Sequence, residues 1–227
     1  MSAFLDSIGV TGLRSGLVAY YPMDEASGDP VDRVTGDTLT KVGSTFTYES
    51  QLGTTGVNGI LINSAATDYF TSDLPKYLAG DCSVSFWFDD NGQTSKIQGD
   101  QFLSFFESSS YRQNINYRST PAIGSYDGTT ITSYGNPTLY DNDAHNIVWL
   151  LSGSNGIMAI FVDGAFVGSV EGSNPRFLQA ISTLEIAKNM EGIYGQLGVW
   201  NRLITKQEID TIYNSGAPID LITGEAL

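Results

Sequence analysis

The chain has 227 residues and sets 25 Asp and Glu against 11 Lys and Arg, a formal net charge of -14 at pH 7 with its one histidine neutral. Proteins that grip nucleic acid neutralise phosphates with clustered Lys and Arg, so this balance argues against direct nucleic-acid binding. A hydrophobic content of 41% excludes a wholly disordered chain, and no run reaches the ~18 uninterrupted apolar residues of a spanning helix, so membrane insertion is not expected.

With 16% charged residues but 25 Gly, 12 Tyr and 11 Phe, the composition is one of strands and turns, and the length suits a single all-β sandwich. Residues 1–15 read as an N-terminal arm, dangling or docked on a neighbouring subunit, and 16–227 as the domain proper. The first ten residues lack both a basic n-region and an uninterrupted apolar stretch, so no signal peptide is recognised. Leu17 to Met23 reads as a strand stopped by Asp24-Glu25-Ala26-Ser27-Gly28. The following loop, through Asp29, Asp32, Thr35, Gly36 and Asp37, is rich in side-chain oxygens and is the best metal candidate in the chain. Asp24 and Asp32 are its first candidates for a structural Ca²⁺ that would brace the loop, and solvated carboxylates are the plainer reading.

Further strands are predicted at Gly59–Ile62, Ser83–Phe88, Phe102–Phe106 and Asn146–Leu151. In the second of these Val84, Phe86 and Phe88 alternate with Ser83, Ser85 and Trp87, the period of a half-buried strand. Cys82 is the one cysteine, so no intrachain disulfide is possible. Trp87, Trp149 and Trp200 lie in apolar runs and are expected in the core. Sugar recognition wants exposed aromatics for stacking and amides or charges for hydroxyls, and two stretches supply these types. They are Tyr111 to Arg118, with Tyr111, Arg112, Asn114 and Tyr117, and a loop from Tyr126 to Asn142, with Tyr126, Tyr134 and Tyr140.

Asp163-Gly164 between two apolar runs predicts a type I′ hairpin, because both central positions need positive φ. Near the C-terminus Leu184–Ala187 and Gly195–Trp200 read as strands. Thr205 and Glu208 then form a capping box, with Ile204 and Ile209 placed as a hydrophobic staple. Gly216 is expected to stop this helix, with Pro218 beyond it. No repeat of solenoid or propeller period is present.

Taken in order, these segments resemble the laminin-G-like branch of the concanavalin A-like jelly rolls. The resemblance rests on Tyr20 to Gly28 with Asp32, Val84 to Phe88, His145 to Val148, Phe161-Val162-Asp163-Gly164, and Trp200-Asn201-Arg202-Leu203 with Glu208-Ile209. It implies a jelly-roll sandwich of two antiparallel sheets with one short C-terminal helix. Its members mostly bind glycans or proteins, so the implied function is a non-enzymatic binding or assembly module. The missing disulfide and signal peptide suit a virion component such as a capsid decoration or tail protein, homo-oligomeric or part of a larger assembly with other virion or surface proteins. A carbohydrate-binding adhesin or receptor-binding protein, extracellular or on a cell surface, is the alternative. Where many relatives carry an acidic pair before the closing strand, this chain has Gly195-Gln196.

A hydrolase or lyase is disfavoured. Glycosidases need two carboxylates flanking the scissile bond, and related retaining enzymes set them as Glu-x-Asp-x-x-Glu on one strand. That spacing is absent, Asp89 and Asp90 are adjacent, and Glu185 sits between Leu184 and Ile186. His145 has Asp141 and Asp143 nearby but no nucleophile elbow, and one His with one Cys makes zinc improbable.

Overall fold

The computed structural model describes residues 12–63, 67–73, 78, 80–92, 101–108, 111–118, 122–126, 131–134, 139, 141–153, 156–171, 183–188 and 190–227. Its strands are β1 (Leu17–Tyr21), β2 (Thr40–Val42), β3 (Phe46–Gln51), β4 (Asn58–Ile62), β5 (Tyr69–Ser72), β6 (Cys82–Asp89), β7 (Gln101–Ser108), β8 (Tyr111–Arg118), β9 (Ala122–Tyr126), β10 (Ile131–Tyr134), β11 (Ala144–Ser152), β12 (Ile157–Val162), β13 (Ala165–Glu171), β14 (Thr183–Ile186) and β15 (Gly192–Trp200). They form two antiparallel sheets, as the jelly-roll reading requires. The first runs β13-β12-β11-β6-β15-β4-β3, with β1 also on β15, and the second runs β10-β9-β8-β7-β14-β5-β2. Strand β4 pairs with the start of β15 and β1 with its end, so two strands share one edge of β15. Between them β15 bulges at Gln196, whose φ of 46 lets its N–H reach Pro22 O at 3.0 Å.

The main core lies between the sheets and holds Phe70, Phe86, Phe88, Phe102, Phe105, Trp149 and Tyr194. Strand β6 alternates as expected but is buried along its whole length, because its other face is covered as well. Trp87 packs there with Leu52 and Ile193 and stacks on Tyr213 at 6.3 Å. All three tryptophans are fully buried. The cover is the helix Lys206–Tyr213, which is too short to stand alone and needs a surface. Ile204, Ile209 and Ile212 bind it to Tyr20, Val148 and Trp200, and the capping box between Thr205 and Glu208 is formed. The helix ends differently from expectation. Asn214, at φ 44 and ψ 43, takes the left-handed cap position, and the chain runs through a 3₁₀ turn to Gly216. Asn tolerates this conformation, so the stop falls ahead of the glycine.

The hairpin at Asp163-Gly164 has the two positive φ values, 51 and 73, that the type I′ turn demands. Residues 12–15, the last of the expected arm, lie against the domain. Leu13 is fully buried, its carbonyl accepts from Trp200 Nε1 at 2.6 Å, and Arg202 donates to Gly12 O and Ser15 O. The rest of the expected arm, 1–11, lies outside the described residues.

A short internal repeat stands in two distant places. Pro30-Val31-Asp32-Arg33-Val34-Thr35-Gly36-Asp37-Thr38-Leu39 matches Pro218-Ile219-Asp220-Leu221-Ile222-Thr223-Gly224-Glu225-Ala226-Leu227. Three backbone hydrogen bonds recur at matching positions. Asp32 N donates to Asp37 O as Asp220 N does to Glu225 O, Gly36 N to Asp32 O as Gly224 N to Asp220 O, and Leu39 N to Pro30 O as Leu227 N to Pro218 O. The isolated bridges Val31 with Thr38 and Ile219 with Ala226 are equivalent too.

Candidate functional site

The expected ligand residues fall on neighbouring strands. Tyr111, Arg112, Asn114 and Tyr117 belong to β8, Tyr126 to β9 and Tyr134 to β10, at one end of the second sheet. Tyr117 and Tyr134 are both register partners of Ile123, and Asn114 is paired with Ser104 on one side and Tyr126 on the other. The expectation of a loop from Tyr126 to Asn142 is corrected here. Ile131-Thr132-Ser133-Tyr134 is rich in β-branched and aromatic residues and adds a strand to β9. Tyr140 lies outside the described residues. Alternation about the core residue Ile115 divides them between the two faces of the sheet, with Tyr117 and Tyr134 on the face of Ile115 and Asn114 and Tyr126 on the other.

The carboxylates of the 24–37 loop have internal work. Asp32 is 1% exposed, and its Oδ1 accepts from Tyr20 N at 2.7 Å and Val34 N at 2.8 Å while Oδ2 accepts from Thr35 Oγ1 at 2.6 Å. Asp24 pairs with Arg33 at 3.0 Å, and Arg33 reaches Asp220 at 2.9 Å. Glu25 Oε1 accepts from Val31 N at 2.9 Å. Among the described residues no three His, Cys, Asp or Glu side chains are grouped as a metal ion would need. Gln196 Nε2 donates to Ile219 O at 2.9 Å, linking the bulge of β15 to the second repeat. Tyr20 lies beside it, and burial followed by the Asp220 charge pushes its phenol well above the usual range.

His145 sits at the start of β11 between two carboxylates, with Nδ1 2.7 Å from Asp163 and Nε2 3.0 Å from Asp141. Burial alone would push the imidazolium down, but the bonds and charges of Asp163 and Asp141 outweigh it and raise the pKa to about 9. Both ring nitrogens are thus engaged, and the ring is a charged brace between loops. Nearby, Asp143 is held below the usual carboxylate range by N–H donors from Thr54 and Ala144. Asp89 accepts from Gly53 N at 2.6 Å and Asn91 N at 2.7 Å, and Asp90 from Asn142 N at 3.1 Å. These carboxylates staple turns. Cys82 is buried, and that burial pushes its thiol up, away from the reactive thiolate.

No known protein-family pattern matches the chain. No curated protein sequence matches it either. Solved structures match over most of its length. The binding domain of botulinum neurotoxin DC in complex with SialylT has a TM-score of 0.66 at 13% identity, covering 89% of this chain and 52% of that one. The same domain with rat synaptotagmin II has a TM-score of 0.65 at 12% identity, covering 88% and 51%. Domain 4 of AbnA, a GH43 extracellular arabinanase from Geobacillus stearothermophilus, in complex with arabinotriose, has a TM-score of 0.66 at 13% identity, covering 88% and 98%. The chain therefore spans about half of the neurotoxin domains and nearly all of the arabinanase domain. At this identity the likeness establishes a shared β-sandwich fold.

Proposed function

We propose that this chain is a non-enzymatic recognition module of the laminin-G-like type that binds glycans through the second sheet. The observation that carries the reading is the register of β8 and β9, which sets Asn114 against Tyr126 on the face opposite that of the core residue Ile115. Tyrosines and amides on adjacent strands supply the stacking and hydrogen-bonding groups that sugars need. A fold shared with domains solved with arabinotriose and with SialylT supports the same reading. The engagement of His145, Asp89 and Asp90 in turn-bracing bonds weighs against an enzyme. The full chain on a printed glycan array is expected to bind, and the Asn114→Ala, Tyr126→Ala double variant to lose that binding while keeping its melt. Absence of binding by the wild-type chain would overturn the proposal.

A second reading, assembly on a virion or other surface as a homo-oligomer, draws on the root of the arm. There a groove of about 430 Å³ is lined by Gly12, Ser15, Arg202, Thr205, Glu208 and Thr211. The arm of a second copy would enter this groove beside Gly12. Sedimentation of the full chain would then give a multimer that Phe4→Asp with Ile8→Asp dissociates, and a monomer at all concentrations would end this reading.

A further inference from the structure

Where the second sheet ends at β2, a groove of about 260 Å³ is lined by Thr38, Thr40, Thr71, Ser72, Asp73 and Thr183. Register explains why these residues meet. Thr40 pairs with Thr71 and Leu184 with Ser72, which sets Asp73 in line with Thr38 on one side and Thr183 on the other. Leu39, Phe70 and Leu184 belong to the core, so alternation turns Thr38, Thr40, Thr71, Asp73 and Thr183 to the outer face of the sheet. Thr38, Thr40 and Asp73 are exposed and Thr71 and Thr183 half-buried, so the groove is open to solvent. Ser72 is buried and hydrogen-bonded to Tyr21.

The hydroxyls set this groove apart. Threonine hydroxyls elsewhere are used within the chain: Thr35 donates to Asp32, Thr54 to Asp143, Thr55 to Leu52 O, Thr67 to Asp68 and Thr211 to Gln207 O. Those of Thr38, Thr40, Thr71 and Thr183 make no hydrogen bond among the described residues. Each can donate one bond and accept others, and the two oxygens of a carboxylate accept several. Hydroxyls grouped around one carboxylate therefore suit a ligand that itself carries several hydroxyls. None of the described residues lining the groove is basic, so a phosphate or a sialate would face Asp73 without a counter-charge. Calcium takes ~6–8 oxygens, carboxylates prominent among them, and here one carboxylate stands among neutral hydroxyls. The volume falls below the ~300–1,000 Å³ of sites for drug-sized ligands, which limits the occupant to about one sugar ring.

We propose that this groove is a subsite for a single neutral sugar residue, held by Asp73 and the hydroxyls of Thr38, Thr40, Thr71 and Thr183, and the inference rests on the glycan-binding reading above. Contact with one ring gives an affinity of about millimolar. Strand β7 separates the groove from β8 and β9, so variants of the two can be tested apart.

In an NMR titration of the full chain with the methyl glycosides of arabinose, galactose and mannose, amide shifts are expected to cluster at 38–40, 71–73 and 183–184. N-acetylneuraminic acid and Ca²⁺ are expected to leave those amides in place. Thr71→Val with Thr183→Val keeps shape and strand propensity and removes only the hydroxyls. It is expected to weaken glycoside binding at least about tenfold and to hold the melting temperature within about 1 °C. Thr40→Val, at an exposed position of the edge strand, repeats the test without touching a half-buried residue, with a loss of about threefold expected. Unchanged affinity in these variants, no shift at the groove amides with any glycoside, or a stronger response to N-acetylneuraminic acid or Ca²⁺ would overturn the proposal. If the chain binds a glycan array through Asn114 and Tyr126 while every glycoside leaves the groove amides unmoved, the glycan reading stands and this subsite falls. A wild-type chain that binds neither the array nor a glycoside sinks both.

Discussion

Arg33 Nη1 donates at 2.9 Å to Oδ2 of Asp220, the residue of the C-terminal repeat that corresponds to Asp32 in the repeat containing Arg33 itself. The two ten-residue turns are therefore joined by a side chain at a position where the second copy has Leu221, so the repeat is used asymmetrically. Asp32 is engaged by Tyr20 N, Val34 N and Thr35 Oγ1, and Asp220 by Ile222 N, Thr223 N and Arg33. Asp32→Ala strands buried donors and is expected to cost about 3 kcal/mol. Arg33→Ala is expected to cost under about 1 kcal/mol, since the guanidinium is 42% exposed. Urea midpoints will rank the two, and an equal or reversed order would mean that the ion pair outweighs the buried turn.

Protonation of His145 ties stability to pH. The folded imidazole keeps its proton to about 9, whereas the unfolded chain releases it near the ordinary 6.5. The stabilisation is therefore full below pH 6.5 and disappears as pH rises through 9, on the order of 2 kcal/mol once screening at the 42% exposed Asp141 is counted. Thermal melts from pH 6 to 10 are expected to fall over that window and to flatten in His145→Gln.

Glu208 joins the helix cap to Arg202, accepting at 2.9 Å from Nη1, and takes Thr205 N at 2.7 Å. Burial alone would push its carboxyl up, but the Arg202 and Thr205 bonds hold it below the usual range. Thr205→Ala is expected to cost about 1 kcal/mol. Glu208→Ala should cost more, because it also leaves Arg202 without its anion. A urea titration in which Glu208→Ala proves milder would show that the cap, not the ion pair, dominates.

Gly43 (φ 100) and Gly56 (φ 76) both use the left-handed region, but only the first is crowded. A Cβ at Gly43 would run into the Asp68 carboxylate and the Thr67 carbonyl, while nothing lies near one at Gly56. That carboxylate accepts from the backbone of Ser44 and Thr45. Gly43→Ala is expected to lower stability by about 3 kcal/mol and Gly56→Ala by about 1 kcal/mol. Similar urea midpoints for the two variants would refute the crowding argument.

Calcium bears on Asp24 and Asp32. Because Arg33 and the backbone already occupy these carboxylates, millimolar Ca²⁺ is expected to leave the melting temperature within about 1 °C of that in chelator. A larger rise would indicate an ion that reorganises the loop.

Strands whose residues alternate apolar and polar were legible in the sequence, and so was the hairpin at Asp163-Gly164, because the signal there is local. Strand β8 was not, since Ile115 is the one apolar aliphatic residue among tyrosines, arginines and amides. Strand β2 has three residues, too few to establish a period. The paired turns at 30–39 and 218–227 escape a search for long periods because they occur twice, far apart, and are built from Asp, Thr and Gly rather than from a core pattern.

The placement of β15 bears on how the chain acquires its shape during synthesis. Residues 192–200 are the shared neighbour of β1, β4 and β6, whose own residues are made far earlier. Until that late segment leaves the ribosome, the early strands have unfilled edges, so a nascent chain stopped before it should be sticky and protease-sensitive. Maturation is then gated by translation of β15, and chaperone dependence should drop sharply once that stretch has emerged.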